Sequence, residues 1–228
     1  MKKMFAIILL FLCDKELYAQ GQLIKINLGK DKDVLQKYIY AYPSFLKGFV
    51  NLKGNRSEPS LLNYNRLNDE MLFIGNKNDT LALSAPETVD NIVIGNDVYF
   101  YLGGGFVRQL TAYPSVNLEL KSRLKYVGVE KKADGYGSYS NASSSESYTN
   151  VKNGTPVRID ADANLNYNLS DTYHLYNGKN LLPANKKTFI KLFAKHEKEI
   201  GDYIGAQHIN FEKRADLEKL LQYAASLN

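Results

Sequence analysis

The sequence predicts an α+β protein: mainly antiparallel β-sheet, sandwich-like or partly closed, with a C-terminal helical segment. Three observations carry this. In "SVNLELKSRLKYVGV", Val116, Leu118, Leu120, Leu124 and Tyr126 alternate with Asn117, Glu119, Lys121, Arg123 and Lys125. A period of two implies one buried and one wet face, the pattern of an antiparallel sheet. Gly95-Asn96 and Asn177-Gly178 sit between strand-like runs as tight-turn dipeptides. The last stretch then changes period, with Leu217, Leu220, Leu221 and Ala224 at helical spacing in "EKRADLEKLLQYAASL". An amphipathic helical ending also argues against an outer-membrane barrel.

The first segment reads as an address. Lys2 and Lys3 precede an apolar run from Met4 to Leu12. That run is too short to cross a bilayer and matches a signal-peptide core. Cleavage after Ala19, in "LYAQG", would leave residues 20–228 as one domain. The alternative is lipidation of Cys13, although Leu12 stands where a lipobox needs a small residue. Either route exports the chain to the periplasm or the extracellular space. Cys13 is the single cysteine, so the mature chain would hold no disulfide, thiolate metal site or cysteine nucleophile. The formal charge is +5. Its basic residues are scattered rather than gathered into a nucleic-acid-binding module. No later stretch is apolar and long enough for a membrane helix.

The elements follow in order. "DKDVLQKYIYAYP" predicts a helix capped by Asp31, with Val34, Leu35, Tyr38, Ile39 and Tyr42 on one face and Pro43 ending it. Residues 44–130 read as a β-meander. In "SFLKGFVNLKG", Leu46, Gly48, Val50 and Leu52 share a face, while "PSLLNYN" and "DEMLFIG" flank a short polar connection. Gly103, Gly104 and Gly105 mark a bulge or sharp bend.

Residues 131–155 lose their aliphatics and fill with serine, glycine, asparagine and tyrosine. Such a stretch reads as a flexible excursion. Tyr136, Tyr139 and Tyr148 are its candidate partner contacts. A hairpin is expected over 156–183 and helices over 184–228, with Asn185 as a cap and Gly205 as a stop.

The sharpest chemical signal is "IDADANLNYNLSD". Asp160, Asp162, Asn164, Asn166, Asn168 and Asp171 fall on positions 1, 3, 5, 7, 9 and 12 of an EF-hand loop. Asp160, Asp162, Asn164, Asn166 and Asp171 are the candidate calcium ligands. Leu165 stands where that loop needs glycine, and Asp171 where it needs the longer glutamate. The same stretch is also a strand alternation, with Ala161, Ala163, Leu165, Tyr167 and Leu169 opposite the polar set. Aspartate and asparagine would place such a strand at an exposed edge.

Other chemistries find little support. "HEKEI" opens like a zinc-protease helix, but Ile200 replaces the second histidine. Glu58, Asp69 and Glu70 surround the "YN…DEM" hairpin, where acids most often solvate a turn.

"LLNYNRLNDEMLFI", "VDNIVIGNDVYFYL" and "TYHLYNGKNLLPANKKTFIKLFAKHEKEIGDYI" together resemble an uncharacterised family of small exported Bacteroidota proteins. The resemblance implies export and one shared architecture, and no catalytic residues. Elimination of active-site motifs leaves a non-catalytic envelope or secreted interaction protein, whose partner is another exported protein. Two alternatives stay open: a small-ligand-binding module, for calcium or a glycan, and a hydrolase with a spatially assembled carboxylate site.

Overall fold

A computed structural model describes residues 21–27, 30–129 and 164–227. Among them, eleven strands form one antiparallel sheet. Strands β1 (Gln22–Asn27), β2 (Leu46–Leu52), β3 (Arg56–Asn65), β4 (Glu70–Ile74) and β5 (Thr80–Ala82) come first. Then follow β6 (Val89–Ile94), β7 (Asp97–Leu102), β8 (Gly105–Ala112) and β9 (Asn117–Val129). β10 (Asn164–Tyr176) and β11 (Leu181–Pro183) complete the set. The order across the sheet is β1-β10-β9-β8-β7-β6-β2-β3-β4-β5, with β11 beside β10. The antiparallel sheet with helices that the sequence predicts is present, and it is not closed.

Local chemistry sets the turns. Ile94 pairs with Asp97 around Gly95, whose φ of +57° suits the first position of a type II′ hairpin. The 103–105 glycines make a second hairpin rather than a bulge, with Leu102 paired to Gly105. Gly48 is required by close approach: a Cβ there would land on the Val93 carbonyl of the neighbouring strand.

The sheet curls so that the corner between β3 and β4 meets β9. Leu124 N donates to Arg66 O at 3.1 Å, and the Tyr64 hydroxyl lies 3.1 Å from Ser122 O. Inward residues of the curl form one buried cluster: Val50, Leu62, Tyr64, Met71, Ile92, Ile94, Tyr99 and Phe106.

Two further clusters flank it. Helices α2 (Lys186–Leu192), α3 (Glu197–Ala206) and α4 (Arg214–Ser226) press Phe189, Ile200, Leu217 and Leu220 onto Leu118 and Leu175 of the long strands. Each such buried side chain stabilises the fold by roughly 2 kcal/mol. Asn185 caps α2 as expected, accepting from Thr188 N at 3.0 Å. Helix α1 (Lys32–Ile39) lays Leu35, Tyr38 and Ile39 over Ile24 and Ile26 of β1.

Four expectations need correction. Asp31 precedes α1, but its carboxylate accepts from Asn27 N and caps no helical N–H. The helix ends at Ile39, so Tyr42 leaves its face and enters the sheet interior. Gly205 lies inside α3, which ends where His208 takes a φ of +49°. Glu119, on the polar parity of β9, is fully buried.

Residues 1–19, Cys13 and the 131–155 segment, with Tyr136, Tyr139 and Tyr148, lie outside the described residues. So do Asp160 and Asp162. No helix among the described residues is long and apolar enough to cross a membrane.

Candidate functional site

Asn164, Asn166 and Asp171 all belong to β10, with Leu165 and Tyr167 buried between them. A strand advances about 3.3 Å per residue, which separates Asn164 from Asp171 by about 23 Å. Calcium ligands crowd within about 2.6 Å of the ion, so these residues cannot share one. Nor is β10 an edge: it lies between β9 on one side and β1 and β11 on the other. The Asn164 side chain accepts from Asn27 Nδ2 at 3.0 Å. No group of three His, Cys, Asp or Glu among the described residues could hold a metal ion.

The polar chemistry gathers elsewhere, inside the curl. Tyr42, just past α1, donates to Asp97 Oδ2 at 2.6 Å and sits 3.0 Å from the Tyr99 hydroxyl. Arg108 of β8 reaches the same Asp97 oxygen at 3.0 Å. Burial drives the Tyr42 phenol far up in pKa, the neighbouring Tyr99 and Asp97 adding to it, and burial also raises the Tyr99 phenol. Burial alone would lower the Arg108 guanidinium, yet Asp97 more than offsets this and raises it. Tyr42, Tyr99 and Arg108 line a cavity of about 80 Å³ together with Arg66, Ser122 and Asp171. That is room for a few waters, well below the roughly 300 Å³ of a small-molecule site.

Beyond this cavity stands a second arrangement. Asp69 ends the β3–β4 corner with a φ of +59°, a left-handed conformation that aspartate tolerates. Its Oδ1 accepts from the Tyr64 hydroxyl at 2.7 Å and from Phe106 N at 3.2 Å. Its Oδ2 pairs with Arg123 of β9. Burial and Asp69 raise the Tyr64 phenol far above its ordinary value. Gly105 leaves the space for this pair, since a Cβ there would run into both Asp69 and Arg123.

An open cleft of about 390 Å³ begins at the Asp69–Arg123 pair, with Asn68, Glu70, Tyr101 and Phe106 in its walls. Asp69 and Glu70 were legible as hairpin acids. Glu58, the third, is exposed beside Arg56 at 3.6 Å and takes no part.

Tyr42, Tyr64, Asp97, Tyr99, Arg108 and Arg123 carry no motif. The inward parity of Tyr64 and Tyr99 on their strands was the available signal. No family model matches the chain, and comparison with curated proteins and with solved structures gives no match either.

Proposed function

We propose that the chain is an exported, non-catalytic interaction protein of the cell envelope or secreted space, with another exported protein as its partner. The observation that supports this best is an apolar stripe on the outer face of the curl. Phe49 is 50% exposed and Leu61 42% exposed, on adjacent strands whose other faces bury Gly48, Val50 and Leu62. Pro59, directly opposite Phe49, is exposed, and Val93 and Val98 extend the stripe half-buried across β6 and β7. A contiguous exposed apolar patch on a folded chain marks an interaction surface. The inner polar cluster adds weight: the Tyr42, Tyr64 and Tyr99 phenols are held protonated, and Asp97 and Asp69 are tied to Arg108 and Arg123, so none of these groups is poised as a nucleophile or base.

The test is capture of the tagged full chain from gently cross-linked native envelopes, followed by reconstitution with the purified partner. One stoichiometric exported partner is expected, and Phe49→Ser with Leu61→Ser should abolish its binding without lowering Tm. Absence of such a partner, or binding indifferent to both changes, overturns the reading. The mass of the native protein should place its first residue at Gln20; retention of residues 1–19 would refute export by signal cleavage.

A further inference from the structure

We infer that the open cleft at the β3–β4 corner is a binding site for a neutral saccharide. This goes beyond the interaction reading and does not use the outer stripe. The cleft holds about 390 Å³, within the size range of small-ligand sites. Its floor is preorganised. Asp69 is fixed by Tyr64, Phe106 N and Arg123, so the guanidinium is held in place before any ligand arrives.

Around that floor, hydrogen-bonding groups remain unused. Glu70 spends Oε2 on Asn68 Nδ2 at 3.1 Å, which leaves Oε1 and the Asn68 carbonyl as free acceptors. Arg123 commits one nitrogen to Asp69 and keeps its other N–H groups. Tyr101, whose hydroxyl can donate and accept, also lines the cleft. Tyr101 packs edge-on against Phe106 with centroids 5.2 Å apart, and Leu83 and Pro86 complete an apolar wall.

This mixture discriminates among ligand classes. A sugar ring presents hydroxyls that donate and accept around its rim, and C–H faces that pack on aromatic and aliphatic surface. Donors, acceptors and an apolar wall in one cleft match it. An anion would face the Asp69 and Glu70 carboxylates, and a cation would face the Arg123 guanidinium.

The test uses the full chain and a panel of neutral sugars: glucose, galactose, mannose, N-acetylglucosamine, maltose, cellobiose and chitobiose. Glucuronate and glucosamine serve as charged controls. Binding is read by NMR shift titration and by tyrosine fluorescence, since the chain has no tryptophan.

Saturable binding of at least one neutral sugar is expected. Tyr101→Ala and Glu70→Gln should each weaken it about tenfold or more with unchanged Tm. Phe49→Ser should leave it intact, which separates this site from the partner surface. If Tyr101→Ala fails to fold, Glu70→Gln decides. No saturable response at tens of millimolar overturns the proposal. So does binding that ignores both cleft variants, or tighter binding of a charged control.

Discussion

Glu119 makes the pH dependence of stability a sharp test of the structure. It sits in the middle of β9, fully buried, and neither carboxylate oxygen has a hydrogen-bond partner. Gln109 of β8 and His174 of β10 flank it across the ladders, and Lys121 lies two residues along its own strand. Burial pushes its pKa from an ordinary 4.5 up to about 7. Below about pH 4.5 the group is protonated whether the chain is folded or unfolded, and its stabilising contribution is fully present. As pH rises, the unfolded chain ionises first, and stability falls until the folded carboxyl ionises near 7. At about 1.4 kcal/mol per pH unit, that interval amounts to about 3 kcal/mol. With a urea slope of about 2 kcal/mol/M, the Glu119 contribution alone should lower the unfolding midpoint by about 1.5 M between pH 4.5 and pH 8.

His174 works in the opposite sense, because burial lowers its pKa and its neutral form is favoured on folding. Its contribution is lost as pH falls below 6.5. The decisive quantity is therefore the wild type minus Glu119→Gln, in which the His174 contribution cancels. That difference should change by about 3 kcal/mol across the interval in favour of the variant at high pH. Glu119→Met should show the same slope. Parallel wild-type and variant midpoints would refute the reasoning, for they would mean an ionised and partnered Glu119.

Other substitutions test the packing. Gly48→Ala should cost about 2 kcal/mol or more by urea unfolding, because its Cβ meets a backbone carbonyl that cannot yield. Gly201→Ala, in the interior of α3 with open space around it, should instead stabilise by about 0.5–1 kcal/mol. Tyr42→Phe removes the hydroxyl shared by Asp97 and Tyr99 and should cost about 1–3 kcal/mol. Asn185→Ala should lose about 1 kcal/mol of stability, and Asn185→Asp should keep most of it. Hydrogen exchange in EDTA should find residues 164–176 protected, because a ladder strand needs no ion. Protection that appears only with calcium would restore the loop reading.

The elements with a clean period were legible. The apolar parity of β2, the hairpin at Gly95 and the face of α4 all follow from local sequence, and the structure keeps them. Failures occurred where tertiary contact overrides local pattern. Glu119 obeys the polar parity of β9, yet that parity says nothing of how the curved sheet covers its outer face there. Tyr42 continues the helical spacing of α1, but Tyr40 turns extended and Arg66 secures the exit by donating to Tyr40 O at 2.7 Å. The polar positions of β10 fit two templates at once. Only its pairing partners, β1 and β9, decide between them, and they lie far away along the chain.

Both clefts depend on one short corner, and that corner divides what sequence can say from what it cannot. Asn65 turns the chain by accepting from Leu67 N and Asn68 N, and Asp69 completes the turn in the left-handed region. These are local choices, readable as turn chemistry in "YNRLNDE". Where the corner lands is not local. Its bonds to Leu124, Phe106 and Arg123 reach across about half of the described sheet. They exist because β6 to β9 twist far enough to bring β9 back to β3. Accumulated twist is a property of the whole ladder, and no residue of the corner encodes it. Asp69 is thus a plain turn acid in sequence and the anchor of a cleft in the fold. Its partner, Arg123, gives no sign in its own strand of the role it holds.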